Sequence, residues 1–439
     1  MIVPAVLAFT HLPRLPFSSP IRRAIPLEHL RLHPNFVPLS PSESIKKLEC
    51  LEDVRKFRQE SWQWDVLHEG RCTTSQAVAA LGFLEQKAGE FLGVPRSFRR
   101  GGMGAYHRLS RPAIRTLEEI NARLCVGADD DDSTTTTDTE QYDASKIWTA
   151  PKSVQSFKGK EKPFPFAAKY LPRTTAEERK LRKQSAQGYS QHESFDMRVR
   201  MMWGNEQEAT SVLTALNYLW LQDNSTELLE VGMCGAGLDL STNQTITSSL
   251  LLGATPDGLI RHADGRIEAL EVKNHCPFMP QGTGGWKTRR GGAKNAERDD
   301  KRFSIRRMNF DKAGLVLPHY VPQLMMEMFC VGAECQSAVM VRQTATNGAL
   351  IMRIHRDDEW IDEMMYWLNR FQADFVEKQN PPPDNFFWIG KDKDRYKEFL
   401  KRTKDLESKV TVLKLVPNTD VQRVMGQLPP QSFSDLFLD

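Results

Sequence analysis

Within residues 253–276, GATPDGLIRHADGRIEALEVKNHC, Asp257 stands in a Pro-Asp-Gly turn, and Glu271 and Lys273 follow one residue apart. Crowded carboxylates raise one another's pKa, and burying them is costly unless a cation joins them. An Asp at the end of one strand and a Glu on the next suit a hard divalent cation. Mg2+ takes carboxylate, carbonyl and water oxygens and keeps several waters while sharing a phosphate. Mn2+ accepts the same kind of donor. Such a cation lowers the pKa of a bound water and neutralises charge on a phosphoryl group in transit. Lys273 is placed to orient or deprotonate that water, or to stabilise the charge that develops on phosphate. The trio therefore makes sense as a phosphodiester-cutting site.

Taken singly, these pieces are weak. A Pro-Asp-Gly turn is ordinarily only a turn, and a Glu-x-Lys pair on an amphipathic strand is ordinarily surface charge. Their weight comes from the elements around them. GLIRHADGRIEALEVKN reads as a hairpin about Asp264-Gly265, the strongest short-range hairpin signal. The two-residue period puts Ile267, Ala269, Glu271 and Lys273 on one face, with Leu270 and Val272 on the other. Upstream, residues 195–222 read as a helix with Val212, Leu216 and Leu219 at helical spacing, and Glu208 lies on the same stripe four residues before Val212. A first-turn acid favoured by the helix dipole accounts for Glu206 more readily than for Glu208. Downstream, HYVPQLMMEMFCVG reads as a helix, QSAVMVRQT and ALIMRIHR as strands, and residues 357–379 as an amphipathic helix with an aromatic core stripe.

With these elements in place the chain resembles the PD-(D/E)xK nuclease superfamily, and within it the YqaJ-type viral recombinase, or lambda phage exonuclease-like, family. Four segments carry the resemblance: WDVLHEGRCTTSQAVAALG at 64–82, MMWGNEQEA, the pair GATPDGLI and LEVKNHCPF, and HYVPQLMMEM. It spans roughly residues 60–95 and 195–380. It implies an α/β, restriction-endonuclease-like fold with a mixed central sheet flanked by helices. It also implies Mg2+ catalysis and a DNA duplex or DNA end as substrate. By residue, it implies that Asp257, Glu271 and the Val272 carbonyl bind metal, that Glu208 acts through water, and that Lys273 and Gln323 assist the attack. Ser75 falls at a terminal-phosphate position. The Arg that shares that pocket in the family is His68 here, a poorer phosphate anchor than a guanidinium, with Arg71 nearby as a substitute.

The rest of the chain sets bounds. At 439 residues and 40% hydrophobic it holds a substantial core, and its net charge of +3 does not by itself mark a nucleic-acid binder. Basic blocks do occur locally: residues 152–183 carry ten Lys/Arg against three acids, and 281–310 carry nine against three. The seven cysteines are scattered without a CxxC pair, which points to reduced thiols in an intracellular compartment. An iron–sulfur relative of the RecB or Cas4 kind would need a C-terminal Cys trio that is missing. Residues 1–27 have three Arg and no acid. They fit an organelle transit peptide, mitochondrial or plastid, or equally an unstructured tail of a nuclear protein. There is no apolar run of transmembrane length, so no membrane partner is expected.

The expected organisation is an N-terminal extension at 1–42, a helical part of the nuclease domain at 43–95 and a largely disordered insertion at 96–190. A catalytic core at 191–384 and an appendage at 385–439 complete it. The expected function is a DNA exonuclease in recombination, repair or organelle DNA turnover. An endonuclease of the same superfamily and a non-catalytic DNA-binding module are the alternatives.

Overall fold

The computed structural model describes residues 30–129, 195–235, 250–280 and 316–421 apart from 32, 60, 345, 346 and 419, together with 303–305 and 310. A seven-stranded mixed sheet forms its centre. Its spatial order is β1 (Phe36–Val37), β3 (Glu227–Leu229), β5 (Gly258–Arg261), β6 (Ile267–His275), β9 (Cys335–Thr344), β10 (Gly348–His355) and β11 (Thr411–Val416). The β1/β3 and β6/β9 pairs are parallel and the others antiparallel. Two small pairs lie outside it: β2 (Cys72–Thr73) with β4 (Leu252–Gly253), and β7 (Phe278–Pro280) with β8 (Phe303–Ile305).

The helices in chain order are α1 (Trp62–His68), α2 (Thr74–Ala80), α3 (Gln86–Phe91), α4 (Met103–Leu109), α5 (Leu117–Asp129), α6 (Phe195–Gln222), α7 (Val321–Val331), α8 (Asp358–Phe371) and α9 (Lys393–Ser408). Because side chains alternate along a strand, β6 and β9 feed two cores. Ala269, Met340 and Leu350 face the larger one, with α2, α7, α8 and α9. Leu270, Val272, Val339 and Val341 face the other, against Ala209, Leu213 and Leu216 of α6. The amphipathic α8 starts where Asp357 accepts a hydrogen bond from Trp360 N at 2.9 Å, and it buries Trp360, Met364, Trp367 and Phe371. The Asp264-Gly265 turn joins β5 to β6, with Gly265 at φ 85°, a backbone geometry that only glycine adopts freely.

The architecture is thus α/β with a mixed central sheet between helices. Three expected boundaries do not coincide with it. Residues 96–129 belong to the fold: Ala105 and Leu109 enter the larger core, while Ile114, Ile120 and Leu124 form another cluster with Leu67 and Met233. The short α4 carries few apolar side chains among Arg and Gly, and in α5 only Leu117, Ile120 and Leu124 mark the period, next to the acidic run that follows, so the segment reads as interrupted. The segment after 384 is not an appendage, since β11 pairs with β10 and α9 buries Tyr396, Phe399, Leu400 and Leu406. Its dense charge hides that stripe. The 1–42 segment contributes β1 to the sheet edge. Residues 1–27, expected as a transit peptide or an unstructured tail, residues 130–194 and the basic segment 281–302 lie outside the described residues. Among the described residues no helix is long and apolar enough to cross a membrane.

At the sheet end remote from Lys273, Glu268 on β6 is buried and accepts hydrogen bonds from His262, Ser337 and Arg353. Burial alone would raise its pKa, and those bonds overcome it, holding the carboxyl at about 2. A folded-state pKa below the unfolded value contributes stability that is complete above about pH 4.5 and is lost as the pH falls toward 2. Denaturant unfolding should therefore show wild type losing about 3 kcal/mol more than Glu268→Gln between pH 5 and pH 2. Equal losses in the two proteins would contradict this account.

Candidate active site

The site forms because β5 stops before β6 does. Gly258 pairs with Leu270, and the ladder would next bring residue 257 beside 271. Instead the Asp257 side chain turns in, and its Oδ2 accepts the Val272 N–H at 2.6 Å. The carboxylate takes the place of a strand partner. In a strand the N–H and C=O of one residue point to the same edge, so the Val272 carbonyl emerges beside Asp257. Glu271 and Lys273 share the face of β6 that looks toward α7, and Lys273 Nζ donates to Glu271 Oε1.

From that face α7 contributes Gln323, whose Nε2 donates to Glu327 Oε1 at 2.9 Å. Glu327 is fully buried, and its Oε2 has no partner among the described residues. Tyr320, just before α7, places its ring centroid 5.6 Å from Lys273 Nζ. From the opposite face α6 brings Glu208. That helix is tied to β6 next to Lys273 by Ser211 Oγ, which donates to Asn274 Oδ1 at 2.6 Å.

The electrostatics follow from this crowding. Asp257 is pushed well above the usual carboxylate range by burial, then by Glu271 and Glu208. Glu327 is raised in the same way, first by burial and then by Glu271. Burial works against the charge on Lys273, yet Glu271, Asp257 and Tyr320 hold its ammonium above the ordinary range. Asp257 and Lys273 are closely surrounded by protein but keep part of their surface open to solvent. His319 is depressed to about 4 by burial, Lys273 and Arg342, so its ring is neutral.

These residues fit a hard divalent cation. Two carboxylates and a backbone carbonyl meet at one edge, and the raised pKa of Asp257 reports burial first and then repulsion by Glu271 and Glu208, both of which a cation would offset. Among the described residues no three His, Cys, Asp or Glu side chains close on a single point. Asp257, Glu271 and the Val272 carbonyl would therefore leave other positions to water and phosphate oxygens, the coordination that Mg2+ favours.

The structure brings together Glu208, Asp257, Glu271, Val272, Lys273 and Gln323. Sequence reasoning missed Glu327, although VPQLMMEMFCV carries a single charge in an apolar helix, four residues after Gln323. A lone acid at that spacing was the available signal.

The N-terminal candidates stand differently. Helix α1 is anchored beside the Asp257 turn, because Trp64 Nε1 donates to Thr255 Oγ1 at 3.0 Å. Ser75 is exposed in the first turn of α2, with its Oγ 3.2 Å from Thr73 Oγ1. His68 is half-buried and its pKa is lowered, chiefly by burial. Its Nδ1 lies 2.8 Å from the Trp64 carbonyl. That acceptor requires the proton on Nδ1 and leaves Nε2 of the neutral ring as an acceptor, which does not suit a phosphate.

Arg71 is not a substitute anchor. It is fully buried, and its guanidinium donates to the carbonyls of Leu67, Leu252 and Ile114 at 2.9, 3.0 and 3.1 Å. A Cβ at Gly253 would stand 2.6 Å from Arg71 Cδ, so glycine there makes room for it. The guanidinium is needed where α1, β4 and the 114 loop meet. Arg71→Met should leave three buried carbonyls unsatisfied and cost on the order of 3 kcal/mol, read as a lower melting temperature. A stable variant with selectively weakened phosphate binding would reverse the assignment.

No family model and no curated protein matches this chain. Among solved structures it is similar to the alkaline exonuclease LHK-Exo from Laribacter hongkongensis. The two are 18% identical over 49% of this chain and 87% of that one, with a TM-score of 0.25.

Proposed function

We propose that this chain is a Mg2+-dependent deoxyribonuclease that hydrolyses phosphodiester bonds of duplex DNA from an end. The reading is carried by one observation. Asp257 turns into the open edge of β6 beside the Val272 carbonyl, next to the Glu271–Lys273 pair. Such an edge offers hard oxygen donors and a cation within one small space.

Asp257, Glu271 and the Val272 carbonyl hold the metal, and Glu208 reaches it through water. Bound there, Mg2+ supplies a water of lowered pKa and compensates phosphate charge, and Mn2+ can replace it. Lys273, held as an ammonium, acts as a donor: to Glu271 at rest, and to a phosphoryl oxygen as charge builds on it. Gln323 orients the attacking water through its amide oxygen. His68 and Arg71 supply no charged end-anchor, so recognition of a terminal phosphate falls to Ser75 and neighbouring backbone.

The test uses wild type, Asp257→Asn and Lys273→Ala on end-labelled linear duplex and on closed circular duplex, with Mg2+, Mn2+ or EDTA. Linear DNA should be degraded only with a divalent cation, and circles should survive. Each variant should lose about 10²–10³-fold in rate while keeping the wild-type melting profile. Cleavage of circles would move the assignment to an endonuclease. Binding without cleavage under either metal would leave a non-catalytic DNA-binding module.

A further inference from the structure

Gln323 has an amide, and an amide can turn over. Its two ends differ by only one atom type, and a water-orienting role needs the oxygen on the reacting side. Something must therefore fix the flip. Among the described residues the one hydrogen bond that Gln323 makes from its side chain runs to Glu327, one turn further along α7. Glu327 lies among Leu324, Met325, Met326 and Met328, all buried, where a carboxylate has no role in packing. A Leu or Met would fill the position at lower desolvation cost.

We propose that Glu327 is a positioning residue that sets the orientation of the Gln323 amide. Gln323 presents Nε2 to Glu327 Oε1, and that carboxyl oxygen accepts whether or not Oε2, which has no partner among the described residues, carries a proton. The oxygen of a planar amide lies on the other side of Cδ, so Oε1 is turned away from Glu327, to the side left open for the attacking water. The buried position of Glu327 makes this one-sided, since its carboxyl is closed to water that could compete with Gln323 as donor. The inference rests on the nuclease reading for its functional consequence, and on the Gln323–Glu327 hydrogen bond for its structural one.

Two substitutions separate the hydrogen bond from the charge. Glu327→Gln removes the charge but keeps an acceptor that an adjacent amide can use. Glu327→Met keeps the volume and removes both. Steady-state kinetics on linear duplex with Mg2+ should show Glu327→Gln within about threefold of wild type, and Glu327→Met down about 10- to 100-fold in kcat with little change in KM, the range seen when a partner that orients a metal ligand is lost. The double variant Gln323→Met/Glu327→Met should be no slower than Gln323→Met alone, since both remove one oriented group.

Equal losses for Glu327→Gln and Glu327→Met would show that the charge acts, and would overturn the proposal. So would full activity of Glu327→Met, or additive losses in the double variant. Should wild type itself prove inactive, the nuclease reading fails, and side-chain amide NMR of selectively 15N-glutamine-labelled protein still decides the inference. The Gln323 amide protons should be protected from exchange in wild type and unprotected in Glu327→Met. Identical protection in both would refute it.

Discussion

The hydrogen bond from the Val272 N–H to Asp257 Oδ2 is the constraint on which the site depends. A central strand must have both edges paired, covered or solvated. Past Leu270, β6 has lost its β5 partner and still runs on to His275 beside β9. Asp257 satisfies the exposed donor with a side chain, so the same edge leaves the Val272 carbonyl uncovered by a strand. A β5 two residues longer would bring Pro256 opposite Val272, and proline has no N–H to give that carbonyl. Gly258 is where the close approach is made, since a Cβ there would lie 2.9 Å from Leu228 Cδ1.

Two cores explain how residues so distant in sequence reach this edge. The sheet lies between α6 on one face and α7 on the other. Side chains that belong to opposite faces cannot meet across a continuous sheet. They can meet where it opens, and β5 opens it. Glu208 arrives from the α6 side, and Gln323 and Glu327 from the α7 side. Asp257, in the plane between them, is the group whose carboxyl feels both Glu271 and Glu208.

What the sequence made legible follows this geometry. The Asp264-Gly265 hairpin, the common face of Glu271 and Lys273, and the helices carrying Glu208 and Gln323 are local patterns of period 2 or 3.6, and such patterns survive in a bare sequence. Glu327 was visible in principle, but a single acid in an apolar helix acquires meaning only when its partner is known. The burial of Arg71 was not legible. A guanidinium between Glu69-Gly70 and Cys72 reads as surface charge, and three carbonyls from positions 67, 114 and 252 become its partners only through the tertiary fold. The placement of α9 and β11 was missed for a related reason. Tyr396, Phe399, Leu400 and Leu406 are spaced for a helix, but twelve intervening polar and charged positions between Lys393 and Ser408 mask them.

The balance of charge in the site has a consequence for substrate. Glu208, Asp257, Glu271 and Glu327 lie near Lys273, Arg342 is buried, and the nearby His319 ring is neutral. A phosphodiester brings a further negative charge. Without compensation it would be repelled at the short distances where Coulomb terms are large and solvent is partly excluded. Arg71 cannot help, because its guanidinium is turned into the fold, and His68 is held neutral by burial. The nearby described cations are therefore too few to draw a phosphate to the β6 edge on their own. On the proposed reading, a divalent cation does more than activate water, since it is also what makes the edge of β6 attractive to DNA.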